Sequence, residues 1–175
     1  MLKKFTITLG SLFLITLIMG FVLPSEYEIN RSIVIDRPPE LVHPFVDDLN
    51  KWPLWMPWQK ADPNAKIVIG EKFSGVGASQ SWEGKDGRGE LVFTRSSVDY
   101  GVDYDMGFQG DATKTKNSII YQNLDGKTQV NWIMQGNMPI PVIGAYVALI
   151  MDKIAGPMFD TGLKSLKTLV EAEGK

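Results

Sequence analysis

Val142-Ile-Gly-Ala-Tyr-Val-Ala-Leu-Ile-Met151 is a run without a single charge, and the segment behind it decides the fold. Past Gly156-Pro157, the residues Phe159, Leu163, Leu166 and Val170 recur at spacings of four, three and four. Lys164, Lys167, Thr168 and Glu171 fall elsewhere on the wheel. That is the helical period with one apolar stripe, and the stripe must be covered by something. From Tyr27 to Asn137 the chain reads as short strands and turns. The expected cover is therefore a sheet curling over one long C-terminal helix, with any cavity between the two.

Working outward, Ile29, Ile33 and Ile35 share a face of a first strand over Tyr27 to Ile35, which Asp36-Arg-Pro-Pro39 ends. Pro39 suits the first position of a helix and Glu40 its positive end. Leu41, Val42, Phe45, Val46 and Leu49 then form a core-facing stripe, with Pro44 predicting a kinked or short helix. Asn50-Lys-Trp-Pro-Leu-Trp-Met-Pro-Trp-Gln59 follows, and its two prolines predict an irregular segment with aromatics packed over an edge or mouth of the fold. Gly84-Lys-Asp-Gly87 and Asp125-Gly126 are hairpin signals. Val102, Tyr104, Met106 and Phe108 alternate with Asp103, Asp105 and Gln109, as in a strand with one dry and one wet face. Strands joined by tight turns imply antiparallel order. The fold class is α+β.

The composition excludes several functions. No cysteine is present, which removes disulfides, thiolate metal sites and a cysteine nucleophile. A net charge of -2 gives no basic footprint for nucleic acid.

Met1-Leu-Lys-Lys4 precedes an uncharged run from Phe5 to Leu23. As a helix, that run spans about 28 Å, against about 30 Å for the hydrocarbon core of a bilayer. It is longer than the core of a signal peptide, and Gly20-Phe-Val-Leu-Pro24 offers no small-x-small cleavage site. The expectation is a retained transmembrane anchor over 1–24 and a second unit over 25–175. Lys3 and Lys4 on the cytoplasmic side would make it a single-pass protein of the cell membrane, with the domain on the extracytoplasmic side.

Four stretches, in order, carry a family resemblance: Ile33-Val-Ile-Asp-Arg-Pro-Pro-Glu-Leu-Val42, Asn50-Lys-Trp-Pro-Leu-Trp-Met-Pro-Trp58, Gly75-Val-Gly-Ala-Ser-Gln-Ser-Trp-Glu-Gly84 and Met151-Asp-Lys-Ile-Ala-Gly-Pro-Met-Phe-Asp160. The chain resembles the START-like superfamily, in particular its SRPBCC or polyketide cyclase/dehydrase-type branch. The resemblance implies a helix-grip fold, a curved antiparallel sheet wrapped around the C-terminal helix with a cavity for a hydrophobic ligand. His43-Pro44 departs from the ordinary helix formers of such relatives.

No catalytic set assembles from the residue pattern. His43 is the sole histidine and is expected on the surface; a histidine metal site is excluded, and no cofactor is implied. Asp103 and Asp105 lie on a wet strand face, and Ser79 and Ser81 have no histidine for a relay. What remains is an apolar lining: Trp82, Tyr104, Met106, Phe108, Trp132 and Met134 from the sheet, and Phe159, Leu163 and Leu166 from the helix. Such a stripe reads equally as plain core or as the wall of a pocket, and the methionines suit an adaptable site. Trp52, Trp55 and Trp58 are expected to cap the pocket mouth or lie at the membrane interface.

The reading is a membrane-anchored protein that binds a lipid or other hydrophobic small molecule, and no nucleic acid. The alternatives are a cyclase/dehydrase-like enzyme, or an envelope interaction domain with a filled core that presents its Trp52–Trp58 face to a protein partner.

Overall fold

The computed structural model describes residues 2–58, 62–85, 87–108 and 113–173. Helix α1 covers Leu2–Val22, followed by β1 (Glu26–Ile35), α2 (Pro39–Val46) and α3 (Trp52–Trp55). Six more strands come next: β2 (Lys66–Ile69), β3 (Ser79–Gly84), β4 (Gly87–Ser97), β5 (Gly101–Phe108), β6 (Thr113–Leu124) and β7 (Lys127–Asn137). The last element is α4 (Ile143–Ala172), a helix of 30 residues.

All seven strands join one antiparallel sheet in the order β1-β7-β6-β5-β4-β3-β2. Successive strands from β2 to β7 are neighbours, with two-residue turns linking β3 to β4 and β6 to β7, and β1 closes the far side by pairing with β7. At the β6–β7 turn, Asp125 has φ 51° and Gly126 φ 88°, the two positive values a two-residue hairpin of right-handed twist requires. The β3–β4 hairpin closes at Gly84 opposite Gly87.

Strand alternation sends one face of the sheet inward. Ile29, Phe93, Tyr104, Ile119, Val130 and Trp132 are buried there, and Phe159, Leu163, Leu166 and Val170 of α4 meet them. The stripe expected from sequence is thus the core face of α4. Pro157 does not end the helix, and its ring lies on the exposed side. Gly162 lets α4 come close to the sheet: a Cβ there would stand 2.9 Å from Cζ3 of Trp132 on β7.

The tryptophan-rich segment is less irregular than the prolines suggest. Pro53 falls in the first turn of α3, where a missing N–H costs nothing, and the helix ends before Pro57. Among the described residues no helix is long and apolar enough to cross a membrane, so the spanning expectation for 1–24 rests on the sequence.

Candidate functional site

The strand register carries each inward row across the sheet. One row runs Ile29, Met134, Asn117, Tyr104, Phe93; the next runs Tyr27, Gly136, Thr115, Met106, Leu91, Gln80. Most of these are apolar and buried. Gln80, Thr115 and Asn117 are buried as well, although they are polar.

The centre of the space between sheet and α4 is filled. Trp132 lies against Phe159 at 4.1 Å between ring centroids and meets Trp55 and Trp58 edge-on at 5.6 and 5.7 Å. Its indole N–H donates to the Tyr104 hydroxyl at 3.0 Å. Burial holds the Tyr104 phenol protonated, well above its usual range. Tyr104, Trp132, Phe159, Leu163 and Leu166 therefore come together as expected, but as mutually packed core. Trp82 and Phe108 stand apart from them, paired edge-to-face at 5.5 Å; Trp82 is half-buried and Phe108 exposed.

Trp52 and Trp55 correct the sequence expectation. They cap no mouth and face no membrane: both are buried, donating from their indole nitrogens to the carbonyls of Val46 at 2.8 Å and Phe45 at 3.0 Å. The reason is local. The one-turn helix α3 turns both rings the same way, under α2, where each N–H finds a helix-end carbonyl with no partner of its own. Trp58 alone of the three keeps partial exposure.

A groove of about 1200 Å³ lies elsewhere than expected. Its walls are Glu28, Gln135, Lys116 and Asp105 on one side and Glu26, Asn137, Gly107 and Glu90 on the other, with Thr115 and Met106 in the row between. The wall residues alternate with the buried row, so the groove runs across the outer face of the sheet, away from α4.

On the inner face, Asn117 is 2% exposed. Its Nδ2 donates to Thr115 Oγ1 at 2.9 Å, while its Oδ1 is buried with no hydrogen-bond partner. A buried acceptor without a donor costs about 1–3 kcal/mol, and such atoms in folded proteins signal a missing partner or a functional demand. Met134 flanks Asn117 in the register, and Met106 flanks Thr115.

The second polar cluster was missed in the sequence. His43 was expected on the surface, but it is half-buried. Its Nδ1 is 3.4 Å from the Tyr121 hydroxyl and its Nε2 is 3.4 Å from Ser96 Oγ. Ser96 Oγ in turn donates to Asp47, which also accepts from the Gly75 N–H at 2.9 Å. Burial lowers the His43 pKa, partly opposed by the Asp47 charge, and burial holds the Tyr121 phenol protonated. The i,i+4 spacing of His43 and Asp47 was visible; that Ser96 and Tyr121 close the cluster depends on strand pairing. Among the described residues no group of acidic or histidine side chains is placed to hold a metal ion.

A family model described as polyketide cyclase / dehydrase and lipid transport matches residues 27–171. No curated protein matches in sequence. Among solved structures, one from Thermus thermophilus superposes with a TM-score of 0.60 at 17% identity, covering 85% of this chain and 99% of that one. A protein from Chromobacterium violaceum gives 0.60 at 16% identity, with 82% and 96% covered. Norcoclaurine synthase from Thalictrum flavum, solved with dopamine and hydroxybenzaldehyde, gives 0.59 at 15% identity, with 90% and 93% covered. At such identities the likeness is one of fold.

Proposed function

Because the chain belongs to the polyketide cyclase / dehydrase and lipid transport family, we propose that it is a membrane-tethered binding protein for a hydrophobic, lipid-like small molecule. The observation that carries this reading is the Asn117 Oδ1, an unpaired acceptor buried on the face that looks toward the interior. A molecule with an apolar body and one hydroxyl or amide donor would complete it. Its polar neighbour is Thr115, Met134 flanks it in the register, and Met106 lies beside Thr115 in the next row. Unbranched methionines change rotamer readily, so this end of the space can open where the Trp132–Phe159 centre cannot. Ligand uptake in this reading is displacement of methionine side chains rather than entry into a standing void.

The tether is α1. Its side chains from Ile7 to Val22 include Leu9, Leu12, Phe13, Ile15, Ile18 and Phe21, all exposed, and apolar surface of that extent calls for lipid. With Lys3 and Lys4 inside, the domain over 25–175 lies on the extracytoplasmic side.

The test is native mass spectrometry of the full chain, extracted from membranes in mild detergent, beside Asn117→Leu. The expected result is an adduct of lipid-like mass on the parent protein, reduced at least ten-fold in the variant, with both melting alike. A bare parent mass that persists after incubation with lipids would overturn the reading.

A second reading, a cyclase/dehydrase-like enzyme, is favoured by the His43 cluster alone. A neutral imidazole between two hydroxyls can accept a proton from one and pass its own to the other. Turnover of a poly-β-ketone probe by the parent chain but not by His43→Gln would support it; equal turnover, or none, would remove it.

A further inference from the structure

The start of α4 is fastened to α1. The Tyr146 hydroxyl donates to the carbonyl oxygen of Thr16 at 2.5 Å, and Gly20 is buried against the same turn. A Cβ at Gly20 would stand 2.6 Å from Cγ1 of Val142 and 3.1 Å from Cε2 of Tyr146. These contacts fix the depth of α4 relative to α1. At 1.5 Å per residue, Thr16 lies about 9 Å back from the Val22 end of α1. If α1 spans the bilayer, as proposed above, Tyr146 is held about 9 Å inside the layer that α1 crosses, whose hydrocarbon core is about 30 Å thick. Helices lying in the membrane interface are buried by about 5–10 Å, a depth that includes this one.

The outer surface of α4 has the composition such a position demands. Ile143, Ile150, Ile154 and Met158 are 60%, 47%, 61% and 40% exposed. At 3.6 residues per turn they fall within a sector of about 80°. Ala145, Ala148 and Phe159, on the other side of the helix, are buried. Ile140 and Leu149 extend the exposed apolar surface, at 51% and 60%. Among the described residues nothing covers the stripe, and it continues from the apolar shell of α1 through the Gly20–Val142 contact. Charge is arranged accordingly. Lys153 is exposed beside the stripe, and a lysine so placed can lay its stem along apolar surface while its ammonium meets phosphate. Asp152, its neighbour, is turned away and bound by Arg31 at 2.7 Å.

We propose that the first four turns of α4 form a second membrane contact, lying in the headgroup–acyl boundary of the leaflet from which α1 emerges, with Ile143, Ile150, Ile154 and Met158 as the inserted stripe. The domain is then seated on the bilayer rather than held above it. The partner surface is phospholipid, and this inference rests on α1 being the anchor.

The chain has no cysteine, so single labelling sites can be introduced without background. Three variants of the full chain, Leu14→Cys, Ile154→Cys and Glu90→Cys, would carry an environment-sensitive fluorophore in vesicles of phosphatidylethanolamine and phosphatidylglycerol. All three sites are exposed, so labelling leaves the core intact. Quenching by lipids spin-labelled near the headgroup reads insertion. The expected result is at least three-fold stronger quenching at 154 than at 90, with 14 quenched by deeper labels. A site 154 that behaves like 90 while 14 is quenched overturns the surface contact and leaves the anchor. Quenching at 154 without 14 overturns the anchor and keeps the contact. Both sites unquenched overturns both.

Discussion

Trp132 and Phe159 stack at 4.1 Å between centroids with their planes inclined by 34°, joining the middle of β7 to the middle of α4. Neither ring has room to move, because Gly162 stands under Trp132, and Trp55 and Trp58 abut its edges. Phe159→Ala should cost about 3–5 kcal/mol, the range for truncating a buried aromatic ring. Urea denaturation followed by tryptophan fluorescence measures it, and a loss under about 1 kcal/mol would mean the site collapses freely.

His43 sets a pH dependence. Burial lowers its pKa from 6.5 in the folded protein. Above pH 6.5 both states are neutral and the stability is fully present. As the pH falls, the unfolded chain takes up the proton first, so stability declines from about 6.5 down through the folded value. Urea midpoints taken between pH 8 and pH 5 should fall on the acid side, and His43→Gln should flatten that limb. An unchanged slope in the variant would assign the effect to other groups.

Arg31 binds Asp152 at 2.7 Å and Asp160 at 3.3 Å, lying across Gly156 so closely that a Cβ there would collide with its guanidinium. Arg31→Gln should give a small loss of stability that disappears in high salt, since the acidic partners are about half exposed. Gly156→Ala should break the clamp by displacing the guanidinium, while gaining helix propensity of about 1 kcal/mol. Measured in a double-mutant cycle, the two changes should be strongly non-additive.

Gly126 has φ 88° with open space where a Cβ would be. Gly126→Ala therefore tests backbone conformation alone, and about 1 kcal/mol of destabilisation is expected. Hydrogen exchange should show the loss at the β6–β7 hairpin first; a loss spread evenly over the sheet would point to a different cause.

Much of the fold was legible because it is encoded in short-range pattern. The period of Phe159, Leu163, Leu166 and Val170 marks a helix wherever it lies, and Asp125-Gly126 marks a hairpin from two residues. The site was not legible in the same way. Trp52 and Trp55 looked like surface aromatics because tryptophan favours mouths and interfaces. Their burial is decided by Phe45 and Val46, whose carbonyls happen to lie within reach of the indole nitrogens.

The sequence by itself determined the α+β class, the antiparallel strand order with its turns, the amphipathic C-terminal helix and the apolar N-terminal run, since each follows from composition or periodicity within a few residues. Only the tertiary structure decided that the centre of the grip is packed solid and that His43 has Ser96 and Tyr121 for company. It alone also showed that Asn117 buries an unpaired acceptor and that Tyr146 holds α4 at the level of Thr16. Those four facts depend on which residues from distant strands and helices arrive at one place, and strand register and helix crossing, not local pattern, set that arrival.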